Sequence, residues 1–265
     1  MHPEESIARR FHTARRQARP LPAFPGKLPQ TLAEAYAVQE EAIGLWPDEI
    51  AAWKVAAIHP DLREKFSSVR LAGPVFASSV YRVAPGDRID VPLIRGGFMA
   101  VETEIGVVIG ADMLPRAAPW TMPELLAHIA SVHVAMEIAG SPLATINEIG
   151  PMAVTSDFGN NAAIAIGVEI AGWNNGALDR LKTETWIDGK RVGEGAAVAA
   201  IGGPLDACLF LVNHLATRGR GLRKGDAISA GATTGVHPIT IGQEAEAVVV
   251  GLAPLGVRIV EKTGA

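Results

Sequence analysis

The sequence contains one cysteine among 265 residues, Cys208, which lies in an apolar run. A single cysteine cannot form an intramolecular disulfide, and this fits a reducing compartment. No window approaches the ~20 uninterrupted apolar residues that a membrane helix needs, and the first residues do not resemble a signal peptide. We therefore expect a cytoplasmic protein that has no membrane partner.

An excess of basic charge is also absent, since the formal net charge is −4. This charge offers no broad electrostatic footprint for nucleic acid, although five arginines cluster near the start of the chain, at positions 9, 10, 15, 16 and 19. We interpret these arginines as the solvated face of a polar helix. Hydrophobic residues make up 48% and charged residues 20%, which is typical of a globular protein.

Short apolar runs separated by glycine, proline and aspartate predict an α+β fold with a mostly β core. The helices that we predict are residues 1–20, a segment from Thr31 to near Pro47, a helix capped by Thr121, and residues 204–216. The strands that we predict lie within 51–58, 75–83, 101–109, 132–138, 162–170, 183–187, 227–230, 245–250 and 257–260, with a returning strand after the Asp188–Gly189 turn. Beyond the strand at 51–58 we expect a mobile loop at His59–Pro60.

Two glutamates, Glu102 and Glu104, occupy alternate positions of one apolar run. A strand directs residues i and i+2 to the same face, so the two carboxylates point the same way. Their repulsion is tolerated if that face is exposed to water, which is the simpler interpretation, or if a cation lies between them. The run continues as apolar residues on both faces, which favours an interior strand.

A third carboxylate, Glu137, stands alone in another apolar run, on the same face as His133. Three carboxylates with water suit a hard cation such as Mg²⁺ or Mn²⁺, whose other positions stay free for a substrate. His133 is then either a residue that supports the metal ligands or a hydrogen-bonded core histidine. The sequence has no cluster of cysteine and histidine residues of the kind that forms a structural zinc site.

Short motifs along most of the chain resemble the hydratase/decarboxylase branch of the fumarylacetoacetate hydrolase superfamily. The residues that carry the resemblance are 34–39, 53–55, 73–76, 101–105, 136–138, 159–162, 201–205 and 222–226, followed by 230–234. Each motif is short, but their order and spacing together are specific.

This resemblance implies a mixed β-roll or barrel core with peripheral helices, and a homo-oligomer. It implies a Mg²⁺ or Mn²⁺ ion held by Glu102, Glu104 and Glu137. It also places Lys54 at the substrate carboxylate or in proton transfer, and Thr234 as a hydroxyl on the substrate side. From residue type alone, Lys54 fits a salt-bridged structural lysine and Thr234 fits an ordinary strand hydroxyl. The chain would then consist of a helical segment at 1–70, packed on the core, and a metal-binding catalytic domain at 71–265.

Three departures from the family pattern fall where substrate selectivity would be set. Asn160 stands where an aspartate is usual, so a carboxylate is lost unless the nearby Asp157 compensates. Ser78 stands where acidic residues are common. We expect both Asn160 and Ser78 to contact the substrate, although Asn160 and the adjacent Asn161 equally fit the residues of a turn. His59 replaces part of a polar motif and is either a general acid/base on a loop or an exposed histidine without a catalytic role.

The function implied is a metal-dependent lyase in the catabolism of aromatic compounds. It would hydrate a small 2-oxo or 2-hydroxydienoic acid, such as 2-hydroxypenta-2,4-dienoate or 2-oxopent-4-enoate. A 4-oxalocrotonate-type decarboxylase is the alternative within the branch. Two other classes stay open: a hydrolase that cleaves the C–C bond of acylpyruvates, and a metal-binding partner subunit without turnover.

Overall fold

The computed structural model describes residues 5–66 and 68–264. Within them the helices are α1 Ile7–Arg16, α2 Leu32–Leu45, α3 Pro60–Phe66, α4 Met122–His128, α5 Ile146–Ile149, α6 Pro151–Ser156 and α7 Gly203–Thr217. The strands are β1 Ile50–Ala57, β2 Arg70–Phe76, β3 Val80–Arg82, β4 Arg88–Leu93, β5 Phe98–Ile109, β6 Ile129–Ser141, β7 Asn161–Glu169, β8 Lys182–Ile187, β9 Lys190–Ala196, β10 Ala227–Ser229, β11 His237–Pro238, β12 Glu244–Val249 and β13 Leu255–Glu261.

The strands form two mixed sheets. The larger sheet has the order β2-β1-β10-β5-β6-β7-β3, with β11 paired to β5, and the smaller has the order β4-β13-β12-β8-β9. Strands β5 and β6 are long and buried over most of their length, because they are apolar on both faces. These two strands form the centre on which the rest of the molecule is assembled.

The larger sheet curls into a half-barrel, so that β2 and β7 contact each other although they are far apart in strand order. Small and branched apolar residues fill part of its concave face: Ala52, Val75, Ala135, Ile164, Ile166 and Ala227. The opposite face packs on the smaller sheet, where Thr103 Oγ1 donates a hydrogen bond to the carbonyl of Glu184 at 2.9 Å. The predicted mixed β core with peripheral helices is therefore confirmed.

The helix predicted at 1–20 is shorter than expected within the described residues, because α1 begins at Ile7 after the Ser6 cap and ends at Arg16. The interpretation of its five arginines as one solvated face is wrong for Arg15, which is buried and paired with Asp157. The predicted starts of α2 and α4 are correct, since Thr31 caps α2 and the Thr121–Glu124 capping box begins α4.

A short helix, α3, replaces the mobile loop that we predicted at His59–Pro60. Proline fits the first position of a helix, where its missing N–H is not needed, so Pro60 begins this helix rather than preventing it. Strand β1 belongs to the larger sheet, between β2 and β10, although it lies within the first 70 residues. The division of the chain at residue 70 stays a prediction.

Among the residues that the structure describes, no helix combines the length and the apolar character needed to cross a membrane.

Candidate metal centre and substrate pocket

Three glutamates converge inside the half-barrel. Glu102 and Glu137 are direct partners in the β5–β6 pairing, and Glu104 follows two residues later on the same face of β5. One carboxylate oxygen from each glutamate lies within 4.8 Å of the others, and all three side chains are buried. The structure thus brings together the three residues that the sequence predicts as metal ligands.

The negative charge of this cluster is only partly balanced by a positive group. Lys54, on β1, lies with its Nζ atom 3.2 Å from Glu137 Oε1, and it is the cation in direct contact with the cluster within residues 5–66 and 68–264. Three ionised carboxylates beside one ammonium would leave two negative charges in a buried space, which is costly. One divalent cation would neutralise them.

The pKa values of Glu102, Glu104 and Lys54 are raised, as an excess of buried negative charge requires. Burial, together with the charge of Glu137, raises the pKa of Glu102 to about 8. Burial and the charges of Glu137 and Glu102 raise the pKa of Glu104 well above its ordinary value. Burial on its own would lower the pKa of Lys54, but the neighbouring carboxylates raise it, so the side chain stays an ammonium.

The hydrogen bonds of two glutamates leave one oxygen of each free. Glu104 Oε2 accepts from Ser229 Oγ at 2.5 Å and from the N–H of Gly231 at 2.8 Å, whereas Glu104 Oε1 is buried without a partner. Glu137 Oε1 accepts from Asn161 Nδ2 at 3.0 Å, whereas Glu137 Oε2 is buried without a partner. Buried acceptors normally have partners, so these oxygens fit a hard cation that takes one atom from each carboxylate.

A turn at residues 157–160 brings two asparagines beside this cluster. Phe158, Gly159 and Asn160 adopt positive φ angles of 54°, 68° and 55°. The turn passes so close to β2 that a Cβ atom on Gly73 would lie 2.0 Å from the Phe158 carbonyl oxygen, which explains the glycine there.

A pocket of about 440 Å³ leads from the surface to the cluster. Lys54, Glu102 and Asn160 line it together with the loop residues Ala230–Ala232. Asn160 donates a hydrogen bond from Nδ2 to Asn147 Oδ1 at 2.8 Å, and its own Oδ1 is buried without a partner. Asn160 therefore lines the same pocket as Lys54 and Glu102, with one free acceptor.

His59 lies in the wall of the same pocket, but its side chain is 68% exposed, so it is at the solvent end rather than among the carboxylates. Its Nδ1 atom is 3.5 Å from Asp61 Oδ2. This position permits a role in proton exchange with solvent and places no ring atom of His59 in contact with the acidic cluster.

Two other predicted substrate residues lie elsewhere. The Thr234 hydroxyl is 2.7 Å from that of Thr185, which itself lies 2.7 Å from the Thr103 hydroxyl, on the face of β5 opposite to Glu102 and Glu104. Ser78 is exposed in a single turn after β2, where its N–H donates to Asp48 Oδ2 at 2.9 Å. Neither side chain lines the pocket, so the geometry does not support the predicted contacts.

His133 and Asp157 are also occupied by other interactions. The ring nitrogens of the half-buried His133 lie 3.0 Å from the Gly167 carbonyl oxygen and 2.8 Å from Ser131 Oγ, so both have hydrogen-bond partners outside the acidic cluster. Asp157 forms a buried ion pair with Arg15, with 2.6 Å between Arg15 Nε and Asp157 Oδ1. Asp157 therefore does not replace the missing aspartate at position 160.

Sequence reasoning missed Ser229 and Gly231, which hold Glu104, and it left Asn161 as a possible turn residue. The signal for Ser229 was present: it is a polar residue in the buried strand β10, which pairs with β5. A buried hydroxyl requires a partner, and the neighbouring strand supplies the carboxylate.

Comparisons with known proteins agree with this architecture. The family described as fumarylacetoacetate (FAA) hydrolase C-terminal matches residues 73–260. A 2-keto-4-pentenoate hydratase from Paraburkholderia xenovorans (strain LB400) is 30% identical over 159 residues, which are 60% of this chain and 58% of that relative. The match thus spans a little over half the length of this curated relative.

Two solved structures share the fold over nearly the whole chain. The structure of 4-oxalocrotonate decarboxylase from Pseudomonas putida G7 complexed with calcium and acetate has a TM-score of 0.77 at 23% identity, and covers 96% of both chains. The same decarboxylase complexed with magnesium and adipate gives 0.77 at 22% identity, again over 96% of both chains. Since the family match extends over most of the chain, this protein belongs to the fumarylacetoacetate hydrolase family.

Proposed function

We propose that this protein is a divalent-metal-dependent lyase that hydrates a small 2-oxo acid of the 2-oxopent-4-enoate type. The observation that carries the proposal is the buried cluster of Glu102, Glu104 and Glu137, which borders the pocket at Glu102 and has an unpartnered oxygen on the other two. The hydratase relative at 30% identity supports the choice of reaction. A cytoplasmic location and a homo-oligomer stay predictions.

In this proposal the three glutamates hold Mg²⁺ or Mn²⁺. When bound, such a cation supplies a Lewis acid that polarises a carbonyl oxygen and stabilises the negative charge that develops there. The protein contributes fixed ligands in a buried space where water is largely excluded, so this electrostatic effect is strong.

Lys54 and Asn160 would act on the substrate directly. Lys54, whose Nζ atom lies 3.2 Å from Glu137 Oε1 at the pocket wall, can donate hydrogen bonds to the substrate carboxylate or supply a proton. The unpartnered Oδ1 of Asn160 can accept a hydrogen bond from the water that is added or from a substrate hydroxyl. His59, at the solvent end, would exchange protons with bulk water.

Decarboxylation of a diacid is the second candidate, and Arg63 is the observation that favours it. This arginine lines the outer part of the pocket on α3, and its Nε donates to the Ile58 carbonyl at 2.9 Å. Arg70 in the same pocket is already paired with Asp206, whereas no described carboxylate forms an ion pair with Arg63. A second substrate carboxylate would provide that partner. The decarboxylase relative was solved with adipate, which is a dicarboxylate.

One experiment separates the candidates. The protein with Mg²⁺ is incubated with 2-hydroxypenta-2,4-dienoate and, separately, with 2-oxohex-3-enedioate, while the dienol absorbance and the release of CO₂ are followed. Loss of the dienol without CO₂ supports hydration, and CO₂ from the diacid supports decarboxylation. Metal binding without turnover of either compound would contradict both reactions and indicate a partner subunit.

A further inference from the structure

Arg15 on α1 connects the N-terminal helix to the interior of the half-barrel. Its Nε and Nη2 atoms donate to the two carboxylate oxygens of Asp157, at 2.6 and 2.9 Å. Nη2 also donates to the Gly140 carbonyl at 3.0 Å, and Nη1 donates to the Asn161 carbonyl at 3.1 Å. One buried guanidinium thus bridges the end of β6, the beginning of β7 and the turn before it.

The segment that Arg15 holds is strained. Asp157 precedes the consecutive left-handed residues Phe158, Gly159 and Asn160, and such a conformation costs free energy at residues other than glycine. The β6–β7 pairing also shifts register between Ile138 and Ala139, opposite this segment. A strained turn at an irregular part of the sheet persists only if its surroundings fix it, and the Arg15–Asp157 pair supplies that restraint.

The strained segment delivers a hydrogen bond to the acidic cluster. Directly after the turn, the Asn161 side chain donates from Nδ2 to Glu137 Oε1 at 3.0 Å. With Lys54 on the same oxygen, this bond leaves Glu137 Oε2 as the free atom. If Asn161 moved away, the Glu137 carboxylate would lose one of the two contacts that orient it.

We propose that Arg15 is a positioning residue for the metal centre, which acts on Glu137 through Asn161. The proposal rests on the proposed function, because it requires that Glu137 is a metal ligand. A residue that contacts a metal ligand directly, as Asn161 contacts Glu137, typically changes the metal affinity 10–100-fold when it is replaced, and Arg15 acts one contact further out, through Asn161. Because Arg15 lies on α1, this route would make metal binding depend on the docking of that helix.

The test measures Mn²⁺ affinity of the metal-free protein by titration with electron paramagnetic resonance, without any turnover. Replacement of Arg15 alone leaves Asp157 buried without its counter-charge and risks unfolding. The main variant is therefore Arg15→Gln with Asp157→Asn, which removes both charges, and the second is Asn161→Ala. We expect Asn161→Ala to weaken Mn²⁺ binding by about 10–100-fold, and the Arg15→Gln, Asp157→Asn protein to weaken it by no more than this.

The combined variant tests the route through Asn161. If Arg15 acts through Asn161, the two effects overlap. The triple variant Arg15→Gln, Asp157→Asn, Asn161→Ala should then weaken Mn²⁺ binding, relative to the wild type, by much less than the product of the two separate effects. Multiplying effects would overturn this route. An unchanged Mn²⁺ affinity with a lowered melting temperature would show that Arg15 is only structural and would overturn the proposal.

The matched control is another arginine–carboxylate pair that joins segments far apart in the sequence. Arg218, which directly follows α7, contacts Glu40 on α2, with 3.0 Å between Arg218 Nε and Glu40 Oε1. Arg218→Gln with Glu40→Gln should lower the melting temperature and leave the Mn²⁺ affinity within twofold of the wild type. Equal weakening in this control would overturn a specific role for Arg15. Failure of the wild-type protein to bind Mn²⁺ would instead overturn the metal centre itself, and the role of Arg15 with it.

Discussion

Ser229 donates a hydrogen bond from its hydroxyl to Glu104 Oε2, across the pairing of β10 with β5, at 2.5 Å. Since the N–H of Gly231 donates to the same oxygen, the orientation of the Glu104 carboxylate is fixed by two donors from one strand end. The free oxygen, Oε1, is therefore presented in one direction before any cation arrives. Preorganisation of this kind reduces the free energy that binding must spend on ordering the ligand.

Replacement of Ser229 by alanine should weaken Mg²⁺ or Mn²⁺ binding by about 10-fold or more, because Glu104 loses one of the donors that orient it. Isothermal titration calorimetry measures the change. Ser156→Ala is the matched control, since Ser156 is equally buried and its hydroxyl donates to the Met152 carbonyl at 2.8 Å, away from the cluster. Equal metal affinity in Ser229→Ala and the wild type would contradict the prediction.

Replacement of Glu104 by glutamine should abolish turnover and leave the fold intact. The amide has nearly the shape of the carboxylate but no charge, so it is a poor ligand for a hard cation. Steady-state assays and circular dichroism measure the two effects. Glu246→Gln, on the partly exposed strand β12, should keep wild-type turnover. Unchanged turnover in Glu104→Gln would count against the metal centre.

Replacement of Arg63 by glutamine distinguishes the two candidate substrates. If Arg63 pairs with a distal carboxylate, the variant should raise KM for 2-oxohex-3-enedioate by about 10-fold or more, which corresponds to the loss of one charge-assisted hydrogen bond. KM for the monoacid 2-hydroxypenta-2,4-dienoate should change little. Lys65→Gln, an exposed cation on the same helix, controls for the loss of surface charge. Equal changes for both acids would exclude recognition of a distal carboxylate.

Strand periodicity predicted part of the acidic cluster, because the alternation of Glu102 and Glu104 places them on one face wherever that strand lies. The arrival of Glu137 depends on the β5–β6 register, in which Glu102 and Glu137 are partners. Register is set by the whole pairing of two long apolar strands and not by any local pattern. The resemblance to a known family supplied what the local pattern could not.

The positions of Arg15 and Thr234 could not be predicted from their local sequence. Arg15 stands among other arginines on a polar helix, and its buried partner Asp157 lies 142 residues further along the chain. Thr234 follows a loop that does reach the pocket, but its hydroxyl is taken by Thr185 on the other sheet. In both cases a tertiary contact overrides the local signal, and such contacts are visible only once the sheets are assembled.

The stability of the protein should fall below pH 6.5 because of His214. This side chain packs between Tyr36 and Phe210, and burial, reinforced by the charge of Arg218, lowers its pKa to about 4. The folded state holds His214 neutral, so its contribution is present above the unfolded pKa of 6.5 and is lost as the pH falls towards 4. The loss is at most about 3 kcal/mol.

Urea denaturation at a series of pH values checks this effect. The variant His214→Phe keeps an aromatic ring between the same neighbours and cannot titrate, so its free energy of unfolding should vary less between pH 6.5 and 4. His59→Phe is the control, because His59 is largely exposed at the solvent end of the pocket. Identical pH dependence in His214→Phe and the wild type would show that another group is responsible.

Without metal, the stability should instead fall as the pH rises towards 8. The folded protein raises the pKa of Glu102 from 4.5 to about 8, through burial and the charge of Glu137. A group whose pKa is raised on folding contributes stability below its unfolded pKa, here 4.5, and that stability is lost as the pH passes through the folded value. Divalent cations bind the ionised carboxylates, so Mg²⁺ should restore the melting temperature most strongly near and above pH 8.

Melting curves in a chelator and in Mg²⁺, between pH 5 and 9, measure the difference. In Glu102→Gln the fall with pH should be smaller and the Mg²⁺ effect should be largely lost. An equal fall with pH in Glu102→Gln and the wild type, or a Mg²⁺ effect that persists in this variant, would show that Glu102 is not the group responsible.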